Sequence, residues 1–503
     1  MELPLINRAK ANPQSTAILT TEGSFTYQDL LKRSGEIASH LLGEKADLEE
    51  QRVAFLVPSG FDYVAVQWGI WRAGGIAVPL CTSHPKPELA YVIADSQAPI
   101  IIAHPQFETI IKQLAADNSC SFYLTTDIKN QQPSHLPDNI SGSRRALMLY
   151  TSGTTGKPKG VVTTHDNIQA QVTSLVEAWG WTENDRILNV LPLHHIHGII
   201  NLLTCALWVG AQCHFLPKFD AEAVWESILK GDLTLFMAVP TIYVRLVEAW
   251  QKAPLEKQQA MSQAARQLRL MVSGSAALPI KVLKQWQDIS GHFLLERYGM
   301  TEIGMALSNP LQGNRLPGYV GQPLPRVKVR LVDEEGKKVI PGTPGEIQVK
   351  GPGVFLEYWQ RTEATSKAFE DGWFCTGDLA VVEKENYRIL GRLSVDIIKT
   401  GGYKVSALEI EEILRTHSDI KDCAVVGVVD EEWGQRVCAA LVLHPNKELT
   451  LETLRGWAKE QIAVYKVPTR MVILDDLPRN AMGKVTKPKV REIFNDNGNL
   501  TSK

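Results

Sequence analysis

The sequence predicts an α/β protein with a large N-terminal domain and a small C-terminal one. In the first half, short apolar runs alternate with helical patterns. Residues 52–58 and 98–103 have the composition of buried strands, and a helical pattern follows the first of them as far as Ala73. This alternation is typical of βαβ units and a mostly parallel sheet. The length of 503 residues also favours more than one domain.

Two changes of pattern mark the expected domain organisation. Residues 333–358 contain strands separated by Gly and Pro turns, which predicts a β-rich subdomain over about residues 320–393. A compact α+β pattern follows. We therefore predict an N-terminal domain over residues 1–393 and a C-terminal domain over residues 395–503, joined by a hinge near Ser394.

The C-terminal pattern can be assigned element by element. Ser406 and Glu409 have the spacing of a capping box at the start of a helix. Strand-like runs follow at residues 423–429 and 437–443, and an amphipathic helix begins near Leu454. The order of these elements predicts a small sheet with helices packed against it.

Composition excludes several classes of function. Lys and Arg total 53 and Asp and Glu total 55, a net charge of −2, so a nucleic-acid partner bound through overall positive charge is not expected. The most apolar stretch, residues 199–209, is shorter than the roughly 20 residues of a membrane span. The seven cysteines include no CxxC pair, which favours free thiols. With no apolar signal segment, these features predict a cytoplasmic protein.

Residues 150–160 (YTSGTTGKPKG) have the chemistry of a phosphate-binding loop. They follow an apolar strand-like run at residues 146–150 and precede a helix predicted from Asp166. The glycines and hydroxyl residues provide free backbone N–H groups and side-chain donors, and Lys157 and Lys159 add positive charge. These are the groups that a polyphosphate needs from a loop.

The loop differs from a Walker A motif. That motif has four residues between its glycines, followed by Lys and Ser or Thr. Here two residues separate Gly153 from Gly156, and Pro158 follows Lys157. A P-loop nucleotide hydrolase is therefore not expected, and the alternative to a phosphate site is a solvated Gly/Ser turn.

The loop resembles the signature of the adenylate-forming superfamily, which includes acyl-CoA synthetases, adenylation domains of peptide synthetases, and luciferases. Further superfamily-like motifs occur in order: PLHHIHG at 192–198, YGMTE at 298–302, TGD at 376–378, GR at 391–392, GGY at 401–403 and PRNAMGK at 478–484. The resemblance covers nearly the whole chain. It implies an enzyme that joins a carboxylate to AMP, releases pyrophosphate and passes the acyl group to a thiol, with ATP, Mg²⁺ and coenzyme A as cofactor and co-substrates.

The resemblance also implies roles for individual residues. The nucleotide would be held by Thr151, Ser152, Gly153, Thr154, Thr155, Gly156, Lys157, Pro158, Lys159, Tyr298, Asp378 and Arg392. Glu302 would bind Mg²⁺, because a hard cation prefers carboxylate oxygen, and Thr301 would contact the α-phosphate. Lys484 would bridge the attacking carboxylate and the α-phosphate.

The remaining motifs imply a second half-reaction. Gly401 and Gly402 would border the pantetheine channel after rotation of the C-terminal domain, and His195 would line the acyl pocket and gate the thiol. The pivot carries Ser394, where relatives usually have Asp or Lys, so the energetics of the hinge stay open. His194, His195 and His197 have no Cys or acidic partner nearby in the sequence, which argues against a metal centre.

Two arginines indicate the acid. Arg245 lies in a predicted helix that lines the acyl pocket of relatives, and Arg297 precedes YGMTE, where many relatives carry a neutral residue. Two guanidinium groups suit a second carboxylate on the substrate. The stretch RYGMTEIGMALS at 297–308 resembles that of malonyl-CoA synthetases, and Met305 would limit the pocket to a short diacid such as malonate or methylmalonate. For Arg245, the alternative is a surface residue paired with Glu248.

The sequence alone leaves other functions open. The enzyme would act as a short- or medium-chain acyl-CoA synthetase if the arginines lay outside the pocket, or would load a carrier-protein thiol instead of coenzyme A. A nucleotide-binding protein without catalysis is disfavoured, because Thr301, Glu302, Asp378, Arg392 and Lys484 are all present.

Overall fold

The computed structural model describes residues 3–128, 136–137, 139–151, 157–480 and 483–496. Its helices are α1 Pro4–Ala11, α2 Tyr27–Leu42, α3 Phe61–Arg72, α4 Lys86–Ser96, α5 Glu108–Asp117, α6 His165–Trp179, α7 Cys205–Val209, α8 Ala221–Leu229, α9 Pro240–Lys252, α10 Leu255–Ala265, α11 Ile280–Ser290, α12 Thr362–Lys367, α13 Ala407–Leu414, α14 Leu451–Gln461 and α15 Lys487–Asp496. A π-helix at His197–Thr204 runs directly into α7, and 3₁₀ turns lie at Pro105–Phe107 and Val464–Lys466.

The strands fall into an N-terminal series and two later groups. The N-terminal series is β1 Thr16–Thr20, β2 Gly23–Thr26, β3 Arg52–Leu56, β4 Ile76–Pro79, β5 Ile100–Ala103, β6 Ser121–Leu124, β7 Arg145–Thr151, β8 Lys159–Thr164, β9 Arg186–Asn189, β10 Gln212–Phe215, β11 Leu235–Ala238, β12 Leu270–Ser273, β13 Leu295–Met300, β14 Gly304–Ser308 and β15 Gln322–Pro323. The later strands are β16 Lys328–Val332, β17 Gly345–Lys350, β18 Glu357–Tyr358, β19 Phe369–Glu370, β20 Trp373–Glu383, β21 Asn386–Arg392, β22 Ile397–Thr400, β23 Tyr403–Ser406, β24 Ile420–Asp430, β25 Gly434–Leu443 and β26 Arg470–Ile473.

The N-terminal strands form two sheets within the described residues. One has the order β15-β14-β13-β12-β11-β9-β10-β1-β2, and the other has the order β18-β8-β7-β4-β3-β5-β6. Their central strands pair in parallel, for example β12 with β13 and β3 with β5, whereas hairpins such as β7–β8 and β13–β14 are antiparallel. The predicted α/β class and mostly parallel sheets are confirmed.

The later strands build two smaller sheets in the described part of the chain. Strands β16, β17, β20, β19 and β21 pair antiparallel, as the Gly/Pro pattern predicts. The last sheet has the order β23-β22-β25-β24, with β26 parallel to β25. Val425 and Val426 are both fully buried and belong to different apolar clusters. Because side chains alternate along a strand, this sheet is covered on both faces.

Local patterns locate the elements to within a few residues. Helix α6 begins at His165, one residue before the predicted start, with Thr164 as its N-cap. Ser406 caps α13 by accepting a hydrogen bond from the Glu409 N–H. The reciprocal half of the predicted capping box is not made, because the Glu409 carboxylate pairs with Lys466 at 2.6 Å instead. Charge pairing within the tertiary fold has replaced a local hydrogen bond.

The turn between β21 and β22 contains Ser394. On its N-terminal side, Arg392 N–H donates to Asp396 Oδ2 at 3.0 Å, and Asp396 pairs with Lys487 at 2.6 Å. Lys487 also pairs with Glu411 of α13 at 2.8 Å. This buried charge network connects the turn with the C-terminal sheet region. The domain bounds at residues 393 and 395 stay a prediction, as does the hinge itself.

Candidate active site

A cluster of polar side chains surrounds the start of the β13–β14 hairpin. Tyr298 of β13 donates its hydroxyl to Asp378 Oδ2 at 2.7 Å. The Arg392 guanidinium donates hydrogen bonds to both carboxylate oxygens of Asp378, at 2.8 Å and 3.1 Å. Burial works to lower the pKa of Arg392, but the bonds and charge of Asp378 outweigh it and raise that pKa. The structure therefore brings together three of the residues predicted to hold the nucleotide.

Glu302 lies in the turn after β13, next to Thr301. Its side chain is buried, and Oε1 accepts a hydrogen bond from the Tyr358 hydroxyl at 2.9 Å. Burial raises the pKa of Glu302, since the charged form is poorly hydrated there. A carboxylate in such a place gains from a bound cation, so the site fits the hard oxygen chemistry that Mg²⁺ requires.

Lys159 links this carboxylate to the phosphate-binding loop. The Lys159 ammonium stands 4.8 Å from the centre of the Tyr358 ring, and Tyr358 is the residue that bonds Glu302. Lys159 also pairs with Thr151 across the β7–β8 ladder. The two ends of the loop are therefore held together beside the predicted metal ligand.

Aromatic residues also contact the residues that flank the phosphate-binding loop. Tyr91 of α4 donates to the Pro158 carbonyl at 2.7 Å, and Lys157 lies 5.6 Å from the Tyr91 ring. Tyr150 donates to Asp95 at 2.9 Å. Part of the predicted phosphate site lies outside the described residues: Ser152, Gly153, Thr154, Thr155 and Gly156.

Arg297 directly precedes Tyr298 in β13 and is buried with an uncompensated charge. Its guanidinium donates to Ser275 Oγ at 3.3 Å, and its Nε has no hydrogen-bond partner among the described residues. Burial lowers the pKa of Arg297 to about 9. A guanidinium this deep normally has a carboxylate partner, so its surroundings are suited to an anionic ligand.

The neighbouring Glu296 does not compensate Arg297. Adjacent residues of a strand point to opposite faces, and Glu296 accepts from the Gly318 N–H at 3.0 Å. Burial, with a smaller contribution from Glu412, raises the pKa of Glu296 to about 8. The acid is therefore largely protonated at neutral pH, and its charge is removed from the Arg297 side of the sheet.

The loop after β12 shapes the space around Arg297. A Cβ atom at Gly274 would lie 2.5 Å from Arg297 Cζ, so the guanidinium needs glycine at that position. Ser275, which follows, has a left-handed backbone with φ of 70°. Its hydroxyl also contacts His197 Nδ1 at 3.2 Å. Ser275, His197 and Arg297 thus form one buried polar cluster, in which the sequence had indicated only the arginine.

Arg245 lies elsewhere. It is exposed on α9, with its guanidinium carbon 5.8 Å from the Phe219 ring. No contact between Arg245 and the cluster around Arg297 is seen in the described residues, and the role of Arg245 in binding the acid stays a prediction. Thr241, one turn earlier on α9, lies close to Gly483, where an added Cβ would be 3.2 Å from Thr241 Oγ1.

Met305 and His195, which are predicted to line the acyl pocket, are both largely shielded from water. Met305 is buried in β14, and its Cε packs against Gly299, where an added Cβ would lie 2.3 Å away. Burial, followed by the charge of His84, lowers the pKa of His195 to about 4. The imidazole is therefore neutral at physiological pH. Its ring centre lies 4.0 Å from that of His194.

Lys484 belongs to the C-terminal region and follows a glycine that lies close to α9. A Cβ on the preceding Gly483 would lie 3.2 Å from Thr241 Oγ1 of α9. Lys484 keeps contact with solvent, yet the surrounding protein desolvates its ammonium and lowers its pKa, and the Arg392 charge lowers it further. Asp378 acts on the same ammonium in the opposite direction. The charges of Arg392 and Asp378 thus act on the Lys484 ammonium, and its predicted role at the α-phosphate stays a prediction.

Gly401 and Gly402 form the β22–β23 turn. Both have positive φ, 54° and 81°, which favours glycine. The half-exposed Trp433 lies against Gly401, where an added Cβ would be 3.1 Å from the indole. The turn therefore presents bare backbone beside an aromatic surface, as a thin ligand would require.

The chain belongs to the family of AMP-binding enzymes. The family matches residues 5–359, and the C-terminal domain of AMP-binding enzymes matches residues 409–484. The chain is 44% identical to the mitochondrial malonate–CoA ligase of Xenopus laevis, covering 97% of this chain and 91% of the relative.

Solved structures agree in fold. ATP-bound MatB from Rhodopseudomonas palustris matches with a TM-score of 0.91 and 34% identity over 99% of each chain. O-succinylbenzoate coenzyme A synthetase from Bacillus subtilis, in complex with ATP and magnesium ion, matches with a TM-score of 0.85 and 28% identity, covering 97% of this chain and 99% of that one.

Two predictions about the cellular setting have different outcomes. In the described residues, no helix is long and apolar enough to cross a membrane, and all seven cysteines are free, as expected. The Xenopus relative is described as mitochondrial, so a cytoplasmic location stays a prediction.

Proposed function

We propose that the protein is an ATP-dependent, AMP-forming malonate–CoA ligase. The observation that carries the proposal is the buried Arg297, which has Ser275 as its hydrogen-bond acceptor and lacks a carboxylate partner among the described residues. A short diacid would supply that partner with its far carboxylate. The similarity to a malonate–CoA ligase over nearly the whole chain supports this choice.

In the first half-reaction, one malonate oxygen attacks the α-phosphorus of ATP, and the bond to pyrophosphate breaks. Asp378 would accept hydrogen bonds from the ribose, held in place by Arg392 and Tyr298. Lys157, Lys159 and the loop residues before them, 151–156, would hold the leaving phosphates. Glu302 would bind Mg²⁺, which supplies charge neutralisation for the phosphates.

Lys484 and Thr301 would act at the centre of this reaction. The Lys484 ammonium is influenced by the charges of Arg392 and Asp378 and would contact both the incoming carboxylate and the α-phosphate. Charge develops there in the transition state, and a preorganised cation stabilises it. Thr301 precedes Glu302 in the turn and would donate its hydroxyl to an α-phosphate oxygen.

In the second half-reaction, the coenzyme A thiol loses its proton and attacks the acyl carbon, and AMP leaves. Gly401 and Gly402 lie in a turn of the C-terminal sheet and would border the pantetheine after rotation near Ser394. That rotation would have to break the hydrogen bond from Arg392 N–H to Asp396, which crosses the turn. The neutral His195 would line the pocket that the thiol enters. We place the reaction in the cytoplasm, where the free cysteines would stay reduced.

Product analysis tests the proposal. The purified protein is given ATP, Mg²⁺ and coenzyme A with malonate, methylmalonate, succinate, acetate or octanoate in parallel. We expect malonyl-CoA, AMP and pyrophosphate, with the highest kcat/KM for malonate or methylmalonate. Formation of ADP, or turnover restricted to monocarboxylates, would reject it. Replacing coenzyme A by a phosphopantetheinylated carrier protein examines the alternative acceptor.

A further inference from the structure

The fold brings Cys81 and His84 next to His194 of the HHIH motif at residues 194–197. Cys81, His84 and His194 each present one ligand atom, and these atoms all lie within 4.8 Å of one another. Cys81 and His84 follow β4, whereas His194 follows β9 in the other sheet. More than 100 residues separate them in sequence, which explains why the motif alone gave no sign of a metal ligand set.

Each of the three groups has the surroundings of a ligand. His194 Nε2 is buried and has no hydrogen-bond partner in the described part of the chain. His84 Nδ1 lies 3.3 Å from Glu88 Oε2, a carboxylate–histidine pair that orients the other ring nitrogen in many metal sites. Cys81 is buried, and its Sγ contacts Ser83 Oγ at 3.1 Å and hydrogen-bonds with His84.

We propose that Cys81, His84 and His194 form a site for a soft divalent cation such as Zn²⁺, separate from the Mg²⁺ site at Glu302. One thiolate and two imidazoles are ligands that zinc prefers over magnesium, and three protein ligands leave a fourth position open. Zinc bonds of about 2.0–2.3 Å imply ligand atoms roughly 3.3–3.8 Å apart in a tetrahedron. Rotation of the partly exposed His84 side chain would close the remaining distance and admit the ion from solvent.

A filled site has a consequence for catalysis. His194 packs against His195, with their ring centres 4.0 Å apart, and His195 is the proposed wall of the acyl pocket. A cation bound to His194 would fix this pair and add positive charge beside it. We therefore expect Zn²⁺ to inhibit the enzyme even at saturating Mg²⁺.

Cobalt spectroscopy of the untagged, full-length protein tests the site directly. Co²⁺ bound to a thiolate gives a near-ultraviolet charge-transfer band, and a tetrahedral site adds strong visible bands. We expect both bands at one equivalent of Co²⁺ and their displacement by Zn²⁺. Cys81→Ser should abolish the thiolate band, and Glu88→Gln should weaken binding by about 10–100-fold, the usual effect of removing an outer-shell partner.

Cys120→Ser is the matched control. Cys120 is partly buried and donates to the Ala98 carbonyl at 3.0 Å, and it lies outside the cluster, so its variant should keep both bands. Absence of a thiolate band in the unmodified protein, or its survival in Cys81→Ser, would overturn the proposed site. Zinc inhibition that is unchanged in Cys81→Ser would overturn its link to His195. Since cobalt binding is read without substrates, the spectroscopic outcomes do not depend on the proposed ligase activity, whereas the zinc-inhibition outcome requires it.

Discussion

The absence of a side chain at Gly274 leaves room for the Arg297 guanidinium. The backbone of Gly274 is accessible to any residue, but a Cβ there would lie 2.5–2.7 Å from Cζ, Nε and Nη1 of Arg297. The displaced atoms belong to the end of a flexible side chain, so the fold can absorb the change while the guanidinium moves. A substitution at Gly274 can therefore move the Arg297 guanidinium without greatly lowering the stability of the protein.

We therefore predict that Gly274→Ala weakens malonate recognition selectively. A shift of the guanidinium that costs about 1.4 kcal/mol of substrate binding raises the KM for malonate by about tenfold, while the KM for ATP stays near its original value. Steady-state kinetics with each substrate varied in turn measures this. Gly456→Ala is the control, because a Cβ at Gly456 would meet nothing within 4 Å. Equal loss of malonate and ATP recognition would argue against the assigned role.

At the scale of elements, strand β13 shows what sequence patterns do and do not predict. The YGMTE motif indicates that the end of this strand and the turn after it take part in nucleotide binding, but the strand itself was not predicted. Strand alternation separates Glu296 from Arg297, and only the tertiary structure shows which buried groups each one meets. Ser275 had one weak signal, a Ser-Gly-Ser segment after a buried strand, at the end where ligands bind in α/β sheets. His197 belongs to the PLHHIHG motif, but its contact with Ser275 was not predictable.

The residues around the phosphate-binding loop show the same limit of sequence-based prediction. Lys157 and Lys159 were predictable from the residue types of a phosphate loop. Tyr91, Tyr150 and Tyr358 were not, because aromatic residues are far more often core than ligand neighbours. Arg245 lies on the predicted helix and is exposed there, and its role in binding the acid stays a prediction. The residues that the sequence missed are those whose roles depend on contacts between distant elements.

At the scale of the whole molecule, Lys484 acts across the interface between the C-terminal region and α9. Its ammonium is needed while the carboxylate attacks phosphorus and not while the thiol attacks the adenylate. We predict that Lys484→Ala slows adenylate formation by at least about 100-fold, the effect of removing one preorganised electrostatic group. Thioester formation from supplied malonyl-adenylate should largely survive.

Separate assays of the two half-reactions measure this difference. Pyrophosphate release reports the first, and thioester formation from the isolated adenylate reports the second. Lys489→Ala serves as the matched control, since Lys489 is exposed on α15 and should change neither rate. A Lys484→Ala protein that loses both activities equally would contradict a rotation between two arrangements of the C-terminal region.

The central claim is that Arg297 binds the second carboxylate of the acid, and the selectivity for malonate over butyrate tests it most directly. Removing the partner of a buried carboxylate costs about 3–5 kcal/mol, so Arg297→Ala should lower kcat/KM for malonate by roughly 10²–10³-fold. Butyrate lacks the second charge and should lose little, and the KM for ATP should hold. The exposed Arg245 is screened by water, so Arg245→Ala should change the ratio by no more than about fivefold. If Arg297→Ala left the malonate-to-butyrate ratio unchanged, or lowered activity with both acids alike, the dicarboxylate assignment would be wrong.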